Sequence, residues 1–256
     1  MGTDADRLPI ELVILLASAG GLDTLSIVLH DLPTEFPAAV VVQQHLGGLS
    51  SVLPTILGRQ TLHRVSWVQD GQALTPGQVV VCPPGMHLEL TPDGCCRLHA
   101  TEALGERRFD VLLASVARSY GARSVAVMLS GSGHDGAAGT VAMKRAGAVV
   151  IAQSPDTAQY SSMPIAAARA GADLVLPVHE IGHVLADLVR GAPLPKPQPC
   201  GKAWAAIPLG SSAQSTAGVD GGDATAAQGE SMDNGDVTAA QRDGLTQLSQ
   251  NHTMNG

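Results

Sequence analysis

Three polar residues stand where apolar runs give out. Ser18 follows "ELVILLA", His45 follows "AAVVVQQ", and Asp135 follows "SVAVMLSGSGH". A hydroxyl, an imidazole and a carboxylate are the parts of nucleophilic catalysis. A serine hydroxyl attacks well only with a base within hydrogen-bond reach. Histidine suits that task because its unperturbed pKa is about 6.5. A carboxylate on the far ring nitrogen sets the tautomer and stabilises the imidazolium. The paired glycines after Ser18 let a strand turn tightly into a helix, whose first backbone N–H groups are free to face a developing oxyanion. Each residue also has a plainer reading. Ser18 and Asp135 are good helix N-caps, and a lone His45 is more often a loop or core histidine. Only their shared position, each at the end of an apolar run, favours chemistry.

The elements that must position them alternate. Near-continuous apolar runs ("ELVILLA", Ala38 to Gln43, "RVSWVQ", "QVVVCPP", "RSVAVMLSG", "AVVIAQ", "DLVLPV") interleave with helical periodicity ("LDTLSIVLHDL", "SSVLPTILGRQ", "FDVLLASVARSYG", "DGAAGTVAMKRAG", "IAAARAG", "HEIGHVLADLVRG"). Runs of this kind imply parallel strands covered on both faces. Gly147, Gly171 and Gly191 sit where helix C-terminal glycines belong. "HLELTPDGCCRLHA" breaks the rhythm with a "PDG" turn between two alternating runs, as in a β-hairpin. The expected fold is therefore α/β: a doubly wound, mostly parallel sheet with helices on both faces and an inserted β-hairpin, over residues 8–194. In such sheets chemistry gathers outside the carboxyl ends of the strands, where residues distant in sequence meet.

The chain has 256 residues, 45% hydrophobic and 15% charged, and only 2% aromatic, so aliphatic side chains must build the core. From residue 195 to 256 proline, then Ala, Gly, Ser, Gln and Asp dominate, a composition expected to form a disordered tail. Six acids against two bases from Pro197 onward carry about half of the formal charge of −8. An acidic chain without a basic cluster argues against nucleic-acid binding. No apolar run reaches the ~18 residues of a membrane span, so no membrane insertion is expected. The N-terminus lacks a basic signal-like start, and the four cysteines form no framework. A reduced, cytoplasmic setting is the simplest reading.

Six ordered blocks carry a resemblance: "ASAGGLDTL" (17–25), "VVVQQHL" (40–46), "CPPGMHLEL" (82–90), "FDVLLASVARSYG" (109–121), "VMLSGSGHDGAAG" (127–139) and "SSMPIAAARAGAD" (161–173). Over roughly 10–190 the chain resembles the catalytic domain of the chemotaxis protein-glutamate methylesterase (CheB) family. The resemblance implies a catalytic triad of Ser18, His45 and Asp135, oxyanion donors at the amides of Ala19 and Ser132, and substrate binding at Met163. It implies hydrolysis of γ-glutamyl methyl esters on chemoreceptors, with methanol released, and deamidation of receptor glutamines. No metal and no organic cofactor is implied. The sequence departs from the family pattern at Leu16 and Ser162, where glycine is usual, and at Ser132, where methionine is usual. Fewer than a dozen residues precede the first strand, so the family's receiver domain is expected to be missing, with control left to a separate receiver or signalling protein.

Two other readings compete. "HEIGH" at His179 to His183 has the H-E-x-x-H form of zinc hydrolases, in which two histidines share a helix face and Glu180 acts as base. It needs a third ligand, and Ala186 and Val189 stand where the extended motif wants Gly and His. The last alternative is a catalytically degenerate, receptor-binding adaptor, distinguished by receptor affinity without ester hydrolysis.

Overall fold

The structure is a computed structural model that describes residues 8–46, 50–100 and 107–195. These belong to one unit, Met1–Ser212; the remainder, Ala213–Gly256, lies outside the described residues, as does all of the expected tail (195–256) but its first residue.

Seven strands form one parallel sheet: β1 (Leu12–Ala17), β2 (Ala39–Gln44), β3 (Arg64–Trp67), β4 (Gln78–Val81), β7 (Ser124–Met128), β8 (Val149–Gln153) and β9 (Leu174–Leu176), in spatial order β3-β4-β2-β1-β7-β8-β9. A second, antiparallel sheet is the hairpin β5 (Met86–Leu90) and β6 (Cys96–Ala100). Six helices, α1 (Gly21–His30), α2 (Leu53–Gly58), α3 (Arg108–Ser119), α4 (Ala137–Arg145), α5 (Ser162–Arg169) and α6 (Val178–Val189), complete the described elements with one 3₁₀ turn at Gly121–Arg123.

The strands read as unbroken apolar runs because both of their faces are covered. All six residues of β1 are buried. Val13, Leu15 and Ala17 pack with Leu25, Val28 and Leu29 of α1 and with Ile181, Leu185 and Leu188 of α6. Leu12, Ile14 and Leu16 face the opposite way, toward Phe109, Leu112 and Val116 of α3, Met163 of α5 and Leu88 of the hairpin. Burying each such aliphatic side chain stabilises the fold by roughly 1.5–3 kcal/mol, so a core with few aromatics suffices. Gly147, Gly171 and Gly191 follow α4, α5 and α6 with φ of 78°, 107° and 87°, the left-handed geometry expected of C-terminal glycines.

The strand order places the site. From β1 the chain moves outward to β2, then returns to the other side of β1 with β7. The carboxyl ends of β2, β1 and β7 therefore flank the point where the sheet reverses direction, the usual place for a crevice in such folds.

Candidate active site

Ser18 directly follows β1. Its amide donates to the Ser130 carbonyl (2.9 Å) and its carbonyl accepts from Gly21 (3.0 Å), which holds the turn into α1. The turn needs small residues. Gly20 has φ 68°, and a Cβ there would come within 2.5 Å of Gln159 Oε1 and 2.9 Å of Ser130 Oγ. A Cβ on Gly21 would fall 2.6 Å from the Cβ of Ala17. The N-cap of α1 is Gly20, with no side-chain cap. Ser18 is thus not a helix cap, and its hydroxyl makes no hydrogen bond among the described residues.

His45 occupies the equivalent position after β2. Strand register pairs Ala17 with Gln44, and the His45 amide donates to the Ala17 carbonyl (3.1 Å). Ser18 and His45 are consequently neighbours on adjacent parallel strands. The His45 ring stacks on Phe109 (centroids 3.9 Å apart, 9° between planes) and its Nε2 lies 3.1 Å from Asp135 Oδ2. With Nε2 given to the carboxylate, Nδ1 is the ring nitrogen left to take a proton.

Asp135 also departs from its plainer reading. The N-cap of its own helix, α4, is Gly136, without a side-chain cap. The Asp135 carboxylate instead accepts the amides of Phe109 (2.9 Å, Oδ2) and Asp110 (3.1 Å, Oδ1) in the first turn of α3. Asp110 returns the arrangement: its Oδ1 accepts the amides of Gly136 (3.1 Å) and Gly139 (2.7 Å). Each carboxylate satisfies orphan donors at the start of the other's helix, where the helix dipole favours negative charge. The crossed pair fixes both carboxylates, and α3 also supplies the ring under His45. The Asp135 side chain is 7% exposed, that of His45 19%.

The loop after β7 closes the site. The amides of Ala19 and Ser132, expected as oxyanion donors, make no hydrogen bond among the described residues. Gly133 N–H donates to Ser162 Oγ (3.0 Å), so the serine that replaces the usual glycine braces this loop. Met163, expected to bind substrate, is fully buried. Its amide donates to the Gly131 carbonyl (3.0 Å), and it packs beneath the loop, supporting it rather than presenting a surface. A Cβ on Gly131 would lie 2.6 Å from Met163 Cε and 3.0 Å from Ser18 Cβ. Gly131→Ala is therefore expected to press on both, lowering stability by about 1–3 kcal/mol; thermal unfolding checks the loss.

Sequence reasoning missed three contributors. Ser130, fully buried, donates Oγ–H to the Ala19 carbonyl (2.8 Å), accepts from the Tyr160 amide (3.0 Å), and has its own amide held by Gln153 Oε1 (2.8 Å). Ser130 and Gln153 tie the Ser18 turn to the ends of β7 and β8. Polar residues closing apolar runs were the available signal. Phe109 is the third.

Two buried cysteines are poorly suited to nucleophilic attack. Burial pushes the Cys82 and Cys96 thiols up to about 12, far from the thiolate form. His179, Glu180 and His183 are exposed on α6, and no third ligand joins them among the described residues, so the zinc-hydrolase arrangement is not assembled there. No helix among the described residues is long and apolar enough to cross a membrane.

Comparison with known proteins shows the family. The CheB methylesterase family profile matches residues 13–185. The chain is 35% identical over 193 residues to a protein-glutamate methylesterase/protein-glutamine glutaminase of Bdellovibrio bacteriovorus, covering 73% of this chain and 54% of that protein. It is 39% identical over 201 residues to a protein of the same description from Moorella thermoacetica (73% and 47%), and 36% identical over 185 residues to protein-glutamate methylesterase FrzG of Myxococcus xanthus (71% and 55%). The chain thus spans about half the length of the curated relatives it matches. The crystal structure of the Thermotoga maritima CheB methylesterase catalytic domain superposes with a TM-score of 0.66 at 31% identity, over 71% of this chain and all of that one. With one profile spanning residues 13–185, which hold Ser18, His45 and Asp135, the chain belongs to the CheB methylesterase family.

Proposed function

We propose that this chain hydrolyses glutamyl methyl esters on chemoreceptors through a Ser18-His45-Asp135 triad, releasing methanol, and that it also deamidates receptor glutamines. The observation that carries the reading is the 3.1 Å contact between His45 Nε2 and Asp135 beside an unengaged Ser18 hydroxyl at a matched strand end. Relatives described as protein-glutamate methylesterases support the substrate class. The reaction would take place in the cytoplasm.

His45 Nδ1 takes the Ser18 proton as Oγ attacks the ester carbonyl. The tetrahedral oxyanion is met by the amides of Ala19 and Ser132. The imidazolium, stabilised by Asp135, returns the proton to the departing methoxide, and methanol leaves. Water then attacks the acyl-serine with His45 again as base, and the glutamate carboxylate is released. A primary amide follows the same course, with ammonia leaving.

The test is methanol release from receptor membranes carrying methyl groups. Release that tracks this protein supports the proposal; tight receptor binding without any release contradicts it and leaves an adaptor. Removing one oxyanion donor costs about 10²–10³ in turnover in sites of this kind. Ser132→Pro is expected to lose that much in kcat.

A further inference from the structure

One face of the hairpin gathers three side chains of metal-ligating type. His87 and Glu89 alternate along β5 and so share a face. His99 stands directly opposite His87 on β6. One ligand atom from each, of His87, Glu89 and His99, lies within 4.8 Å of the other two. We propose that these residues form a binding site for one divalent transition-metal ion of zinc's class.

The groups converge, and Glu89 reaches the two imidazoles only loosely. His87 Nε2 is 3.4 Å from Glu89 Oε1 and His99 Nε2 is 3.8 Å from the same oxygen, both too long for good hydrogen bonds. The two imidazoles stack with centroids 5.0 Å apart. His87 is only 4% exposed, and its Nδ1 is buried with no partner. A buried imidazole left in this state is poorly satisfied by protein alone. The other ring nitrogen, Nε2, is the one turned to Glu89 and the one that would bind the ion.

The spacing is close to what a metal requires. With ligand bonds of about 2.0–2.2 Å, atoms around a tetrahedral ion stand about 3.4 Å apart. The His87–Glu89 pair already has that separation. The rest closes by rotation of His99, whose side chain is half exposed. Two imidazoles and one carboxylate are a donor set for zinc, with water in the fourth position.

The neighbouring charges are arranged around the site rather than across it. Arg118 Nη2 approaches the other carboxylate oxygen, Oε2, at 4.0 Å, leaving Oε1 turned to the histidines. Arg97, opposite Glu89 in the register, reaches Asp70 instead (3.5 Å). Arg108 also acts on His87. This positive charge limits affinity, so binding should be weaker than in a closed cysteine site. The ion would join the two strands of a hairpin that Ser115 and Ser119 already fasten to α3 through Leu90 and Thr91.

The full chain, freed of metal by a chelator, is titrated with Zn²⁺ by calorimetry and with Co²⁺ by visible absorption. The expected result is one ion per chain with the absorption of a low-symmetry nitrogen- and oxygen-ligated Co²⁺. Affinity falls at least about tenfold in His99→Ala and in Glu89→Gln, whose melting temperatures without metal stay near wild type. His179→Ala/His183→Ala binds as the wild type does. Absence of saturable Zn²⁺ binding overturns the proposal. So does binding that persists undiminished in His99→Ala, or that disappears in the α6 double variant.

Discussion

Ser18→Ala is expected to remove methanol release from methylated receptors, with a fall of about 10⁴–10⁶ in kcat, because triad members act as one unit. The fold should not notice. The Ser18 hydroxyl bonds to none of the described residues, and the turn rests on its backbone amide and carbonyl, which donate to or accept from Ser130 and Gly21. Alanine keeps both. Melting temperature and receptor affinity should therefore match wild type while chemistry is lost. Full activity in a folded Ser18→Ala protein would exclude this residue as the nucleophile.

The second large effect belongs to Asp135→Asn, and it should be double. The side-chain amide would donate to His45 Nε2, forcing the proton onto Nδ1. Nδ1, the nitrogen proposed to take the Ser18 proton, then cannot act as base, and kcat should drop about 10⁴-fold. The same change weakens the acceptor for the Phe109 and Asp110 amides at the start of α3. Loss of a cap costs about 0.5–2 kcal/mol, so the melting temperature should fall as well. Asp110→Asn separates the two effects. It weakens the reciprocal cap on Gly136 and Gly139 but leaves the imidazole its carboxylate. It should show a similar loss of stability with a far smaller loss of turnover. Equal losses of turnover in the two variants would mean that Asp135 acts through the helices alone.

Much of the fold was legible because parallel strands covered on both faces announce themselves as Val, Leu and Ile runs. The hairpin showed through its "PDG" turn, and its observed strands, Met86–Leu90 and Cys96–Ala100, flank that turn. Ser18 and His45 stand out because each directly follows a strand on the same sheet edge, whereas Asp135 lies beyond the end of β7, just before α4. Their partners do not. Which helix start Asp135 caps depends on how α3 packs against α4, and no local rule gives that. Ser130 and Gln153 looked like the ends of strands, and their role as struts exists only between elements. Met163 was assigned by resemblance to substrate, and its burial beneath Gly131 follows from a glycine that admits no side chain. His99 belongs to no sequence motif, since His87 and Glu89 lie on the facing strand of the hairpin.

The central claim is that one serine becomes covalently acylated with the help of one histidine. A fluorophosphonate probe tests it most directly, since attack by an activated serine forms an Oγ–P bond and expels fluoride. Peptide mapping after labelling should place a single adduct on Ser18, and His45→Ala should suppress it. A protein that releases methanol while its adduct maps to another residue, or that labels at Ser18 equally well without His45, would contradict the account.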